Sequence, residues 1–242
     1  MQTALIRERY EQVLERISVA EKQSGRKPGE VRLVVVTKTH PPDTVQAAIA
    51  AGAWELGENY AEEGVSKMAA LSAMGAEVSQ VRWHMIGHVQ SRKAPLIARH
   101  FDLIHSLDSV KLAHRLNQAA IDLQHKLPVL LQLNVSGEES KFGLPAWEQS
   151  KRDGLCETVA QIQDCSHLII QGLMTVPPFF EEPERVRSYF RRLREWRDFF
   201  ARCFPQADWS QLSMVMSGDF EVAIQEGATL VRIGTAILGV RT

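Results

Sequence analysis

Hydrophobic residues in this chain fall into short apolar runs that alternate with longer amphipathic stretches. Over 5–20 the apolar residues repeat at the spacing of a helix, which predicts an amphipathic opening helix. The run 33–36 is short, apolar and β-branched, which predicts a buried strand. A second helix begins at Pro41 and Pro42, because proline is tolerated in the first turn, and Gly52 ends it with a left-handed cap.

The same alternation of strand and helix repeats along the remaining chain. Further strands are predicted over 54–57, 82–86, 103–107, 129–135, 168–174, 211–216 and 230–233. Helices are predicted between them, over 59–73, 91–99, 109–125, 145–163, 182–203 and 219–226. The segments 48–53 and 223–228 resemble each other as a helix end, a glycine cap and the start of a strand. Two copies of one connection are typical of a repeating architecture.

The first run and these seven give eight strands in 242 residues, or about 30 residues for each strand and helix. This spacing predicts the α/β class and one (β/α)8 TIM barrel over residues 1–242, with an extra N-terminal helix. An open doubly wound sheet is the alternative. The barrel is favoured by the strand count and by polar residues directly after the strands, where such barrels carry their chemistry.

Composition narrows the function classes. Lys plus Arg total 28 and Asp plus Glu total 29, a formal charge of −1 that argues against a nucleic-acid binder. No stretch approaches the roughly 18 apolar residues of a membrane span, and the N-terminus lacks the apolar core of a secretory signal. The three cysteines show no CxxC spacing and favour neither a disulfide framework nor a zinc site. We therefore expect a cytoplasmic protein that binds neither nucleic acid nor membrane.

Lys38 follows the first predicted strand almost directly. Its side chain has two interpretations: it extends out of the barrel mouth into water, or it lies partly desolvated inside the mouth. In the second case burial disfavours the charged form and exposes a nucleophilic amine. Such lysines form Schiff bases with aldehydes, pyridoxal phosphate included.

Two other strand ends carry candidate side chains. Asn59 is either the N-cap of the following helix or an amide turned toward a ligand. His84 and His88 are four residues apart, but they lie on a predicted strand and loop with no carboxylate between them. We therefore expect no metal site, and a packed or hydrogen-bonded His84.

The last two strands end in residues suited to an anion. Ser217 opens a helix and is either its N-cap or a phosphate ligand. The backbone N–H groups of Gly234 and Thr235, with the Thr235 hydroxyl, form a second candidate at a position where barrels often bind phosphate. Arg232 lies within an apolar strand, so its side chain is expected to point into the mouth, where a permanent cation needs an acceptor.

An arginine-rich stretch over 185–202 has two interpretations. Its seven arginines alternate with apolar residues at helical spacing, and nearby acidic residues offset their charge. A nucleic-acid surface is one interpretation. The solvated face of an amphipathic helix is favoured.

Seven motifs occur in one order from about residue 30 to the C-terminus: VVVTKTHP, LGENY, WHMIGHVQSRK, NVSGEESKFG, GLM, LSMVMS and VRIGTAILG. Together they resemble the pyridoxal-phosphate homeostasis protein family. Three positions depart from the family pattern: Thr37 replaces a common serine, Arg92 a common asparagine, and Val215 a common glycine. The valine puts the local backbone of the seventh strand in doubt.

The resemblance implies a barrel like the N-terminal domain of alanine racemase, with pyridoxal phosphate held as a Schiff base on Lys38. It implies phosphate contacts from Ser217, Gly234 and Thr235, and places Arg232 opposite the pyridine nitrogen. It also implies that three residues lie near the cofactor ring, because they match family positions there: Asn59, His84 and Ile86.

The expected function is binding rather than catalysis. Arg232 has only donors and would keep the pyridine nitrogen unprotonated, which makes the cofactor a poor electron sink. Racemisation also needs a second acid or base, and the chain ends at residue 242, soon after the eighth strand, without room for a further domain.

We expect a monomeric, non-enzymatic protein of vitamin B6 homeostasis. It would buffer or deliver pyridoxal phosphate, with apo-enzymes that use this cofactor as candidate partners and with effects on amino-acid metabolism. One alternative is a weak pyridoxal-phosphate enzyme such as an amino-acid racemase. Another is a Schiff-base barrel enzyme that acts on a phosphorylated metabolite.

Overall fold

The computed structural model describes residues 2–214 and 218–240. Its strands are β1 (Arg32–Val36), β2 (Glu55–Glu58), β3 (Arg82–Met85), β4 (Leu103–Leu107), β5 (Leu127–Asn134), β6 (Leu144–Pro145), β7 (Leu168–Met174), β8 (Gln211–Met214) and β9 (Leu230–Ile233). Its α-helices are α1 (Gln2–Gln23), α2 (Pro42–Ala50), α3 (Ala61–Ala73), α4 (Ala94–His100), α5 (Val110–Asp122), α6 (Arg152–Gln163), α7 (Arg187–Cys203), α8 (Phe220–Gln225) and α9 (Thr235–Leu238).

Eight parallel strands close into a barrel. The sheet runs β4-β3-β2-β1-β9-β8-β7-β5, and the pairing of β4 with β5 closes the ring. Because all pairs are parallel, the C-terminal ends of the eight strands meet at one mouth. The prediction of an α/β barrel with an extra N-terminal helix is thereby confirmed, and the open sheet is wrong.

The extra N-terminal helix α1 covers a side of the barrel that the short last helix, α9, leaves uncovered. The helix α9 that follows the last strand has only 4 residues, whereas α1 has 22 and packs against α2, α8 and α9. The Tyr10 hydroxyl donates to the Gly52 carbonyl at 3.0 Å and fixes α1 on the end of α2. The N-terminal helix therefore completes the outer layer of helices.

The core has two parts. A large apolar layer lies between the strands and the surrounding helices. A small interior layer fills the barrel itself, with Val34, Leu103, Leu130, Met174 and Leu230 all buried. These five come from different strands, so the barrel is filled by side chains and is closed below the mouth.

The repeated helix-to-strand connection seen in the sequence is present at two places. Gly52 and Gly227 have φ values of +102° and +101°, the left-handed region that favours glycine. Ala53 N–H donates to the Ala48 carbonyl at 3.0 Å, and Ala228 N–H donates to Ala223 at 2.9 Å, closing matching helix caps.

Two sequence predictions differ from the structure in detail. The predicted helix over 145–163 begins later, at Arg152, because Leu144 and Pro145 form a short strand on the edge of β5. The predicted strand over 211–216 is described only to Met214, and Val215 lies outside the described residues.

The arginine-rich stretch forms the amphipathic helix α7, as predicted. Its buried face carries Phe190, Leu193, Trp196 and Phe200. Arg187, Arg191 and Arg194 all lie within 3.3 Å of the buried Glu226 carboxylate after α8. Part of the arginine face therefore holds two helices together rather than facing water alone. Within the described ranges, no helix is both long and apolar enough to cross a bilayer.

Candidate functional site

Four neighbouring strands bring predicted site residues to one side of the barrel mouth. The strands β9, β1, β2 and β3 lie side by side, and Thr235, Lys38, Asn59 and Ile86 follow their C-terminal ends. A side chain added at Gly57 in β2 would lie 3.0 Å from both Val34 and Ile86, so these strand ends are close-packed. Ser217, predicted as a phosphate ligand, lies outside the described residues.

Lys38 lies in a tight turn after β1 and is half-buried. Thr37 N–H donates to the Gly57 carbonyl at 3.0 Å, which ties the start of this turn to β2. Thr39 has a φ of +63°, an uncommon conformation for a β-branched residue. Its N–H donates to the Glu63 carboxylate at 2.5 Å. The turn that carries Lys38 is therefore strained and is held at both ends.

A buried lysine supports this turn from below. The ammonium of Lys67 donates to the Thr37 carbonyl at 2.7 Å, to Glu58 Oε1 at 2.6 Å and to Glu63 Oε1 at 3.0 Å. Thr37 Oγ1 also donates to Glu58 Oε1, at 2.6 Å. Burial raises the pKa of Glu58, although Lys67 and Thr37 oppose that rise. This cluster, Thr37, Glu58, Glu63 and Lys67, is called the Lys67 cluster below.

The end of β9 offers backbone donors to an anion. Gly234 lies against β1, since an added Cβ would lie 3.0 Å from the Val36 carbonyl oxygen. The N–H groups of Gly234, Thr235 and Ala236 start the short helix α9, and none donates to an acceptor within 2–214 or 218–240. The Thr235 side chain is exposed. These groups therefore fit the phosphate of the predicted cofactor, one strand away from Lys38.

An open cavity of about 440 Å³ lies in the mouth beside Asn59 and Ile86. Its far wall comes from the loop after β5, where Phe142 stacks on His88 with ring centroids 3.8 Å apart. A Cβ added at Gly87 would lie 2.2 Å from the Asn59 carbonyl oxygen, so only glycine lets the ends of β2 and β3 come this close. The cavity gives ligands access to the strand ends.

Arg232 is buried in the barrel interior, as its place in an apolar strand predicts. Its guanidinium donates to Ser213 Oγ at 2.5 Å and to the Thr175 carbonyl at 2.9 Å. Burial lowers its pKa to about 10, against the opposing effect of the Asp219 carboxylate, so Arg232 is a cation at neutral pH.

His84 is also buried in the interior, with both ring nitrogens close to polar partners. Its Nδ1 lies 2.8 Å from His105 Nε2, and its Nε2 lies 3.2 Å from Glu55 Oε2. His105 Nδ1 in turn lies 2.8 Å from Ser213 Oγ. The expectation of a hydrogen-bonded His84 is confirmed, whereas its contact with a cofactor ring stays a prediction.

Burial lowers the pKa of both histidines. The pKa of His105 falls well below its usual value, with His84 and Arg232 adding to the effect of burial. For His84, burial outweighs the raising effect of Glu55. No group of three or more metal-ligating side chains occurs in the part of the chain that the structure describes.

Several residues around the site carry no sequence prediction. His105 stands within the apolar strand β4, and Ser213 within β8, so both resemble ordinary strand positions until the barrel closes. Glu58 and Lys67 are nine residues apart, on β2 and α3. The one available signal is a charged or polar residue at an inward or buried position of an apolar element.

Comparison with known proteins identifies the family. The sequence model described as "Alanine racemase, N-terminal domain" matches residues 10–242. A "Pyridoxal phosphate homeostasis protein" of Aquifex aeolicus is 40% identical over 234 residues, covering 97% of each chain.

Two solved structures share the fold. PipY of Synechococcus elongatus, solved with pyridoxal phosphate bound, has a TM-score of 0.76 and 31% identity, covering 94% of this chain and all of its own. Alanine racemase of Streptomyces coelicolor, at 17% identity, has a TM-score of 0.71; the match covers 98% of this chain and 58% of the racemase, and shows the fold alone. The chain therefore belongs to the pyridoxal phosphate homeostasis proteins, a family with the barrel of the alanine racemase N-terminal domain.

Proposed function

We propose that this protein binds pyridoxal phosphate as a Schiff base on Lys38 and serves to store or deliver the cofactor inside the cell. The observation that carries the proposal is the position of Lys38, half-buried in a held turn beside the end of β9. The N–H groups of Gly234 and Thr235 that follow β9 have no acceptor among the residues that the structure describes. The PipY structure with this cofactor bound supports the same ligand.

Lys38 supplies the amine, and the Lys67 cluster keeps its turn in place. The ammonium of Lys67 is 4% exposed and bound to two carboxylates, so the buried cation is compensated. Lys38 does not line the open cavity, but it follows β1, and Asn59 at the end of the neighbouring strand β2 does line it. We favour the functional interpretation of Lys38 because its side chain is half-buried in a held turn at the mouth.

The phosphate is assigned to the N–H groups of Gly234 and Thr235, with the Thr235 hydroxyl and Ser217. Successive backbone N–H groups at the start of a helix are a good anion site, because they carry partial positive charge and have no partner within the helix. Asn59 and Ile86, which line the cavity, are assigned to the side of the ring.

A binding role is favoured over catalysis by the buried Arg232. When bound, pyridoxal phosphate supplies an electron sink for carbanion chemistry, most effectively with a protonated ring nitrogen. Arg232 has only donors and remains a cation, so a nitrogen facing it stays an acceptor. The alternative, weak catalysis on the racemase-like barrel, is tested by measuring exchange of the α-proton of amino acids.

The test is covalent trapping. Protein incubated with pyridoxal phosphate is reduced with borohydride, and peptide mass spectrometry locates the added mass. We expect the label on Lys38, a visible absorption band before reduction, and loss of both in Lys38→Ala. Lys22→Ala, on the exposed face of α1, is the matched control and should behave as wild type.

Two further measurements separate the parts of the proposal. Thr235→Ala should weaken cofactor binding about tenfold, the loss expected for a hydrogen bond to a charged group. Labelling spread over surface lysines would contradict the assignment of Lys38. Deuterium exchange at the α-carbon of amino acids at enzyme-like rates would instead favour a racemase.

A further inference from the structure

A row of buried polar side chains crosses the barrel interior below the mouth. It connects five strands and is called the buried polar chain: Arg232, Ser213, His105, His84 and Glu55. Its contacts are 2.5 Å, 2.8 Å, 2.8 Å and 3.2 Å in that order. Arg232, Ser213, His105 and His84 are each at most 5% exposed.

With neutral histidines, the Glu55 end fixes the direction of every hydrogen bond in the buried polar chain, and the Arg232 end is compatible with that direction. Arg232 has donors only, so Ser213 Oγ accepts from it and keeps its own proton available for donation to His105 Nδ1. A neutral His105 that accepts at Nδ1 carries its proton on Nε2 and donates to His84 Nδ1. His84 in turn carries its proton on Nε2, toward the Glu55 carboxylate.

The carboxylate end is what requires this arrangement. Glu55 Oε2 and His84 Nε2 are both buried, and neither has a well-aligned hydrogen-bond partner among the described residues. They lie 3.2 Å from each other. A lone pair on His84 Nε2 would face a carboxylate oxygen at this distance, which is repulsive, whereas an N–H is attracted to it.

Glu55 is held as an anion at the far end. Arg32 donates to Glu55 Oε1 at 3.0 Å and to Gln211 Oε1 at 3.0 Å. Burial acts to raise the pKa of Glu55, but His84 and the nearby Arg32 and Arg82 lower it overall. The lowered pKa values of the two histidines agree with neutral rings between the two charged ends.

We propose that His105 and Ser213 are positioning residues for Arg232, and that Glu55 acts through His84 to set the direction of this chain. The guanidinium is thus held from below by a polarised row of hydrogen bonds, and it presents a fixed cation to the cofactor ring. This inference rests on the proposed function, because it gives Arg232 the place opposite the pyridine nitrogen.

The first test needs no cofactor. Nitrogen NMR of the apo-protein, labelled with ¹⁵N in its histidines, distinguishes the two neutral tautomers and the charged ring. We expect His84 and His105 both as neutral Nε2–H tautomers at pH 7. An Nδ1–H tautomer or a charged ring at either residue would overturn the proposal, whatever the cofactor does.

The second test compares two substitutions at one position. His105→Leu keeps a similar volume but removes both hydrogen bonds, and should weaken pyridoxal phosphate binding about 10- to 100-fold. It should also shift the absorption maximum of the bound cofactor and its pH profile. His105→Gln can accept from Ser213 and donate to His84 through one amide, and should restore binding to within about threefold of wild type.

The controls distinguish a failure of this proposal from a failure of the proposed function. His125→Leu, on the turn after α5, should leave affinity and spectrum unchanged. If wild type takes no label at Lys38, the proposed function fails, while the NMR result still decides the buried polar chain. If wild type is labelled and His105→Leu binds with unchanged affinity and spectrum, the positioning role is wrong. Equal losses in His105→Leu and His105→Gln would also contradict it, and the NMR test stands even if His105→Leu does not fold.

Discussion

Removing the buried lysine under the Lys38 turn should destabilise the protein in a pH-dependent way. The perturbation is Lys67→Met, which keeps the volume of the side chain and deletes its charge. Glu58 is fully buried and Lys67 is 4% exposed, so the variant leaves a buried carboxylate without its cation. Breaking a buried pair in this way costs about 3–5 kcal/mol.

A second estimate of the stability lost in Lys67→Met gives the same range. The orphaned Glu58 can instead bind a proton, and at pH 7 this costs about 4 kcal/mol for a carboxyl with an ordinary pKa of about 4.3. At pH 5 the same step costs only about 1 kcal/mol. In the variant the folded-state pKa of Glu58 lies above its unfolded value, so stability is regained on acidification and lost as pH rises.

The assay is urea unfolding of the apo-protein, followed by circular dichroism from pH 5 to pH 8. We expect a deficit of about 3–5 kcal/mol at pH 7, or about 10 °C in melting temperature, that shrinks toward pH 5. The matched control is Lys93→Met, because its 2.6 Å pair with Glu62 lies at the surface. This control should cost less than about 1 kcal/mol at every pH.

Replacing both partners separates charge from packing. The double variant Glu58→Gln with Lys67→Met removes the buried charge and should be more stable than Lys67→Met alone. A deficit below about 1 kcal/mol for Lys67→Met, or one that is equal at pH 5 and pH 8, would refute the reasoning.

Three further predictions concern the scaffold. Gly172→Ala should prevent stable folding, because its Cβ would lie 1.9 Å from the Gln211 carbonyl oxygen and the backbone there has a φ of +144°. The control Gly154→Ala, whose Cβ has no atom within 4 Å, should have a melting temperature no lower than that of wild type. Glu226→Gln should speed hydrogen exchange in α7, because three arginines of that helix lose their shared carboxylate. Wild type should lose stability below about pH 6.5, the usual histidine pKa, because burial lowers the pKa of His105 and the unfolded chain binds the proton first. Urea unfolding of His105→Gln should show a shallower acid decline; an identical decline would exclude this histidine as its source.

The fold was predictable because each element carries its own local signal. The run at β1 is β-branched, and α7 repeats its apolar residues at helical spacing. Gly52 and Gly227 mark two copies of one cap. Element boundaries were harder to predict where the local pattern does not separate one element from the next. Leu144 and Pro145 lie between a polar loop and a helix, and they form a strand only because they pair with β5, which ends ten residues earlier.

The site was predictable only in part. Lys38, Gly234 and Thr235 follow strand ends, and a parallel barrel gathers strand ends at one mouth. Arg232 was identifiable as a cation inside an apolar strand. Nothing in the sequence indicated that Lys67 supports the turn of Lys38, because that contact needs α3 packed against β1 and β2.

The sequence by itself therefore determined the eight strands, their order of occurrence and the amine at the end of the first, since these depend on periodicity and on single residue types. Only the tertiary structure decided which polar side chains meet inside the barrel. His105 and Ser213 are 108 residues apart and lie in contact at 2.8 Å. Their meeting depends on closure of the ring and on its register, and a shift of one residue would turn each side chain to the opposite face.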